Sequence, residues 1–178
     1  MKTYQVKVYN FVELNEQAKD KAIEWYRNGC MDLDYELCNE DFKNNLKEVF
    51  EENGFCNVEI EDYDLSYYKN RPYLNIKYAG IDLNKFISER QKWIKNADID
   101  FSIGRNELEV YKQNVELSKR AERIVEILAE KIQDKFNEVK ANIIKNGLAN
   151  IEYVEKDETI AENIIANEYE FLENGMRY

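Results

Sequence analysis

Tyr4, Val6 and Val8 alternate with Gln5, Lys7 and Tyr9, which predicts a half-buried strand over residues 3–9. Asn15 then precedes Glu16-Gln17-Ala18, a side-chain acceptor followed by an acidic first turn, as a helix N-terminus requires. Ala18, Ala22 and Tyr26 share one stripe with Ile23 beside it, so this helix should run to about Asn28 and end at Gly29. Phe42, Leu46, Val49 and Phe50 recur at helical spacing and predict a second helix over 39–53, stopped by Gly54. Two strands are expected at 57–68 and 72–79. In the first, Val58 and Ile60 alternate with charge; in the second, Leu74, Ile76 and Tyr78 face away from Tyr73, Asn75 and Lys77. Lys69-Asn70-Arg71-Pro72 should form the turn between them, with the single proline where a strand can begin.

Asp82 or Asn84 can cap a third helix carrying Phe86, Ile87 and Ile94 with Trp93 alongside, and residues 98–104 read as a strand or a connector. The strongest pattern predicts a helix over about 107–145, with apolar side chains at Ala121, Val125, Leu128, Ile132, Phe136, Val139 and Ile143. The positions 121, 132 and 143 keep an eleven-residue step. About 3.67 residues per turn suits a nearly straight helix lying across a sheet, with a coiled-coil dimer seam as the alternative. After Gly147, Ile151–Val154 reads as a strand and 157–166 as a short helix. Tyr169–Phe171 reads as a strand that turns at Asn174-Gly175. One α+β domain over residues 1–178, a small antiparallel sheet with several helices, is the expected architecture.

Charge changes this picture because it is segmental. The 178 residues carry 25 Lys+Arg, 36 Asp+Glu and no histidine, a net charge of −11. Residues 31–64 alone hold twelve carboxylates against Lys43 and Lys47, a net −10. The exposed candidates among them are Asp32, Asp34, Glu36, Glu40, Asp41, Glu51, Glu52, Glu59, Glu61, Asp62 and Asp64; Glu48 is set aside as nearer the apolar stripe. Helix-borne carboxylates three or four residues apart lie about 5–6 Å from each other, and duplex DNA carries one charge per about 1.7 Å. Rows of such side chains can occupy a groove that otherwise holds phosphates. Tyr35 and Tyr68, with Tyr63 and Tyr67 nearby, add rigid anchor area of the kind interfaces use. A solvated face that keeps the chain soluble is the competing explanation.

The same composition excludes much chemistry. Without histidine there is no Ser-His-Asp or Cys-His nucleophile and no H-E-x-x-H zinc site. Cys30, Cys38 and Cys56 lack a C-x-x-C spacing and are too few for a cysteine-only zinc site, so free thiols in a reducing compartment are expected. Asp32-x-Asp34-x-Glu36 resembles the start of a calcium loop. Its sixth position is Leu37 and its twelfth Lys43, where glycine and glutamate are needed. A magnesium site on those three carboxylates is the minor alternative. No phosphate-cradling glycine motif occurs among six glycines. Lys119-Arg120 and Arg123 are interleaved with Glu116, Glu122 and Glu126, which reads as a salt-bridged solvent face. No apolar run reaches the length of a membrane span, and the N-terminus lacks a signal-peptide core.

The opening Tyr9-Asn10-Phe11-Val12-Glu13-Leu14-Asn15-Glu16-Gln17-Ala18-Lys19-Asp20-Lys21-Ala22-Ile23-Glu24-Trp25-Tyr26 resembles small acidic proteins of bacteriophages and prophages. In those proteins an aromatic-led Glu-Leu turn precedes an Ala-Lys-x-x-Ala-x-x-x-aromatic helix. Asp41-Phe42, Val58-Glu59-Ile60, Leu65-Ser66-Tyr67 and the closing stretch from Asn167 to Tyr178 follow the same order. The resemblance implies an anti-CRISPR-like or antitoxin-like protein and transfers no catalytic residue. The combined expectation is a non-enzymatic phage protein in the bacterial cytoplasm, without cofactor or metal. It would inhibit a nucleic-acid-handling defence enzyme by presenting acidity to a basic nucleic-acid-binding surface, with a CRISPR effector as the leading partner. Direct nucleic-acid binding and membrane association are not expected, and a homodimer through the long helix is the self-associating alternative. The rival functions are neutralisation of a basic toxin, or a structural or regulatory phage role.

Overall fold

Asn15 does what its chemistry suits it for: its Oδ1 accepts from Ala18 N at 3.0 Å and starts helix α1, Glu16–Gly29. The computed structural model describes residues 5–65, 72–113 and 115–178; Tyr4, Tyr67, Tyr68 and Lys69-Asn70-Arg71 of the expected turn lie outside them. The described chain is α+β and divides into two compact units, Met1–Asp41 with Ala149–Tyr178, and Phe42–Leu148.

In the first unit, strand β1 (Tyr9–Asn10) pairs antiparallel with a strand from the other end of the sequence, Glu170–Phe171, through Tyr9↔Phe171 and Asn10↔Glu170. Residues 5–8 form no strand, contrary to the alternation. The pairing stops at Tyr9, and a strand needs a neighbour to take its backbone hydrogen bonds. Ala18, Ala22 and Tyr26 are buried as expected. They join Phe11, Leu14, Met31, Ile160, Ile164 and Phe171 in one apolar core. Trp25 stands edge-on to Tyr169 and Phe171, with centroids 5.2 and 5.6 Å away. Gly29 does not stop the chain as a left-handed cap; Cys30 donates its N–H to Tyr26 O and helix α2, Met31–Glu52, starts at once. The expected second helix therefore begins at 31 instead of 39.

The second unit holds a four-stranded antiparallel sheet in chain order. Its strands are β2 (Phe55–Asp64), β3 (Tyr73–Ile81), β4 (Ile99–Gly104) and β5 (Glu107–Lys112). Gly54, at φ 94°, makes the left-handed turn out of α2 that the sequence predicted. Leu74 and Ile76 are buried, but Tyr78 is 40% exposed and Ala79 takes the inward place. The register explains it: Ile60 faces Ile76 while Glu59 faces Tyr78, so β3 carries an extra residue there and its alternation reverses.

Two further expectations are corrected in this unit. The third helix is two 3₁₀ segments, Leu83–Lys85 and Glu89–Asn96. Asp82 caps the first by accepting from Asn84 N at 3.1 Å. Ser88 restarts the pattern by donating its N–H to Gln91 Oε1 at 2.9 Å. The long helix is α3, Lys119–Val154, not 107–145. Arg105 and Asn106, at φ 51° and 70°, form a two-residue left-handed turn that folds 107–112 back as β5. At its other end the helix absorbs Ile151–Val154, which were expected as a strand, because Gly147 and Ile151 extend the same buried stripe.

Within the unit, Val125, Leu128, Ile132, Phe136, Val139 and Ile143 are all buried and Ala121 is half-buried. Phe136 stacks on Phe50 at 5.7 Å and meets Phe55 at 5.5 Å, while Gln133 Oε1 accepts from the edge amide of Leu108 at 2.6 Å. The stripe thus covers the sheet. Helix α4 (Asp157–Ala166) and strand β6 (Glu170–Phe171) follow where the sequence placed them, and Gly175 turns at φ 83°. The unit divisions at 41/42 and 148/149 fall inside α2 and α3.

Candidate interaction surface

Folding regroups the charge, which the sequence concentrates in residues 31–64 (net −10) and 151–178 (eight carboxylates against two cations, net −6). The unit built from the two ends of the chain holds seventeen Asp+Glu against seven Lys+Arg, a net −10. The other holds nineteen against eighteen, a net −1. Asp32, Asp34, Glu36, Glu40 and Asp41 belong to the first; Glu51, Glu52, Glu59, Glu61, Asp62 and Asp64 belong to the second. The acidity of the first is completed by the carboxylates of 151–178, Glu152, Glu155, Asp157, Glu158, Glu162, Glu168, Glu170 and Glu173.

In the first unit, Asp32, Glu36, Glu40 and Asp41 are exposed on α2, and no ion pair joins them to another described residue. Asp34 and Tyr35 are half-buried and serve the fold. Tyr26 donates its hydroxyl to Asp34 Oδ2 at 3.0 Å, and burial, then this bond and the adjacent negative charge, push the Tyr26 pKa up to about 12. Tyr35 donates to Glu155 Oε1 at 2.6 Å, and Arg27 pairs with Asp157 at 2.5 Å. A helix turns about 100° per residue, so Asp34 lies across α2 from Asp32 and Glu36. Among the described residues no three Asp, Glu, Cys or His side chains come together as a cation site.

In the second unit Glu59 has a cationic partner and Asp62 a neutral amide donor, while at Glu51 and Glu52 it is the backbone carbonyls that a lysine meets. Glu51 and Glu52 sit at the C-terminal end of α2, the unfavourable end of the helix dipole, where Lys85 Nζ donates to both their carbonyls at 2.8 Å. Glu59 pairs with Lys77 at 3.0 Å across the strands, and Asp62 accepts from Asn75 Nδ2 at 2.8 Å. Asp64 is half-buried. Glu61 and Asp62 line an open groove together with Lys43, Lys47, Ile60 and Tyr63. Tyr68, the remaining candidate, lies outside the described residues.

Two exposed apolar positions escaped the sequence reading. Leu33 and Leu37 are 63% and 55% exposed on α2. They belong to a wider imbalance: of twelve large apolar side chains exposed among the described residues, eight lie in the acidic unit. Isolated exposed leucines need no explanation, but two on one face of a charged helix form a patch. Cys30 and Cys38 lack the lowered pKa of a reactive thiolate. Burial raises the pKa of Cys30, and burial with the charges of Asp34 and Asp41 raises that of Cys38. No helix among the described residues is long and apolar enough to cross a membrane. No family model, curated protein or solved structure matches the chain.

Proposed function

We propose that the chain is an interaction protein whose acidic unit occupies the basic nucleic-acid-binding surface of a bacterial protein. The observation that carries this reading is the concentration of a net −10 in the unit formed by the chain ends, while the rest of the chain is near neutral. Asp32, Glu36 and Glu40, four residues apart on α2 and without an ion pair to another described residue, repel one another, which a binding role offsets when a cationic surface meets them and Asp41. The biological setting we infer, from the phage-like sequence at both ends, is inhibition of a nucleic-acid-handling defence enzyme, of anti-CRISPR type, in the bacterial cytoplasm. Inhibition then requires no catalysis by this chain: the acidic unit excludes the target's own nucleic acid by occupying its site.

The test is affinity capture from bacterial lysate by the full chain, with elution by salt and by duplex DNA. The expected partner is released by both. Salt releases it because screening over about 8–10 Å weakens surface charge pairs, and changing Asp32, Glu36, Glu40 and Asp41 to Lys abolishes capture because attraction to a basic surface becomes repulsion. A partner that resists salt, ignores DNA and tolerates the fourfold reversal overturns the reading. An adjacent toxin as the captured protein would replace the defence enzyme by the antitoxin role.

A further inference from the structure

The first turns of α2 carry apolar side chains on two opposite faces. Met31 is buried, and Tyr35 and Cys38 are half-buried, on one side. Leu33 and Leu37 stand on the other, one helical turn apart, 63% and 55% exposed. Asp32, Glu36 and Glu40 form an i, i+4, i+8 row along one flank of the leucines, and Asp41 lies on the other flank.

Building on the acidic-surface reading above, we propose that the Leu33–Leu37 face of α2 is a docking ridge that seats in an apolar cleft bordered by Lys and Arg on the partner protein. Anchors one turn apart on a single helical face are how a helix lies in a groove. The flanking carboxylates define the rim chemistry. A second copy would set Asp32, Glu36 and Glu40 against their own equivalents and is opposed by like charge, whereas a basic rim pairs with them. Nucleic acid is opposed for the same reason. The carboxylates then steer encounter, and burial of the two leucines holds the complex, so the contributions divide between association and dissociation.

The test uses the full-length protein and two labelled probes in fluorescence anisotropy: a helical peptide with leucines on one face and lysines elsewhere, and oligolysine of equal charge. The Leu–Lys peptide should bind, and Leu33→Gln with Leu37→Gln should weaken it about tenfold or more, as loss of central anchors does, with the loss persisting at high salt. Oligolysine should bind that variant as it binds the parent, and should be released by salt and by Glu36→Lys with Glu40→Lys. Circular dichroism confirms that each variant is folded; glutamine keeps helix propensity close to that of leucine. The control is Val12→Gln with Ile165→Gln, an exposed apolar pair that lines a separate groove of the same unit, which should change nothing. Equal binding by the leucine variant, or equal loss in the control, overturns the ridge while intact oligolysine binding preserves the acidic-surface reading. Failure of oligolysine to bind at low salt overturns both. A parent dimer that the leucine variant converts to monomer in sedimentation identifies a second copy as the occupant and overturns the basic cleft.

Discussion

Gly175 sits at φ 83° with no room for a side chain: a Cβ there would overlap the carbonyl of Ala18 in the first turn of α1. Gly29 is the opposite case, a helical glycine with nothing within 4 Å of where a Cβ would stand. Gly175→Ala should therefore lower stability by about 2–4 kcal/mol, while Gly29→Ala should raise it by about 0.5–1 kcal/mol, both read from urea denaturation. Tyr26 gives the matching pH prediction. Its folded pKa, about 12, lies above the ordinary tyrosine value of 10.0, so the folded chain holds the proton more tightly than the unfolded one. That contribution is complete below pH 10 and is lost as pH rises from 10 towards 12. Tyr26→Phe should flatten the alkaline fall in stability over this window. The Asn174-Gly175 turn was readable from residue type alone. Gly29 was not, because glycine permits a helix stop without requiring one and the backbone there stays right-handed.

Among the elements, α3 offers the sharpest contrast. Leu128 is 2% exposed and its neighbour Ile127 is 49% exposed. Leu128→Asp should abolish cooperative unfolding of the unit that contains it, an effect above about 4 kcal/mol, while Ile127→Asp should stay within about 0.5 kcal/mol. Circular dichroism with sedimentation reads both, and a folded Leu128→Asp monomer would instead identify a dimer seam. The stripe from Val125 to Ile143 was legible because burial on one side imposes the helical period. The start of the helix was not. Glu107-Leu108-Glu109-Val110-Tyr111-Lys112 alternates, and what makes it a strand is the Arg105-Asn106 turn, which lacks the glycine that marks most such turns. The start of α2 was hidden by a different ambiguity. Met31, Leu33, Tyr35 and Leu37 alternate with Asp32, Asp34 and Glu36, a pattern that a helix resolves into two apolar rows on opposite faces. Reading the helix from 39 concealed the outward row, and with it the two leucines of the proposed ridge.

At the scale of the molecule, the acidic segment was legible as composition but not as a surface, since residues 31–41 fold with 149–178 and residues 42–64 do not. Pairing of Tyr9 with Phe171 creates that grouping, and short strands at distant positions leave little periodic signal. Self-repulsion in the acidic unit predicts a salt effect. Moving from low to physiological ionic strength should raise hydrogen-exchange protection of α1 and α4 amides more than that of β3 and β4 amides, because screening relieves a net −10 in one unit and only −1 in the other. The closure of β1 on β6 also sets an order of events. Residues 42–148 leave the ribosome before 149–178, so the sheet unit can complete itself from neighbouring hairpins while α1 waits with Ala18, Ala22 and Tyr26 uncovered. Closing so long a loop costs chain entropy that the local hairpins do not meet, which slows the later step. The two tryptophans report the two events separately: on refolding, Trp93 fluorescence should reach its native value before Trp25. A nascent chain caught in that interval exposes the apolar side of α1, and chaperones that hold such surfaces at the ribosome should bind it until Phe171 arrives.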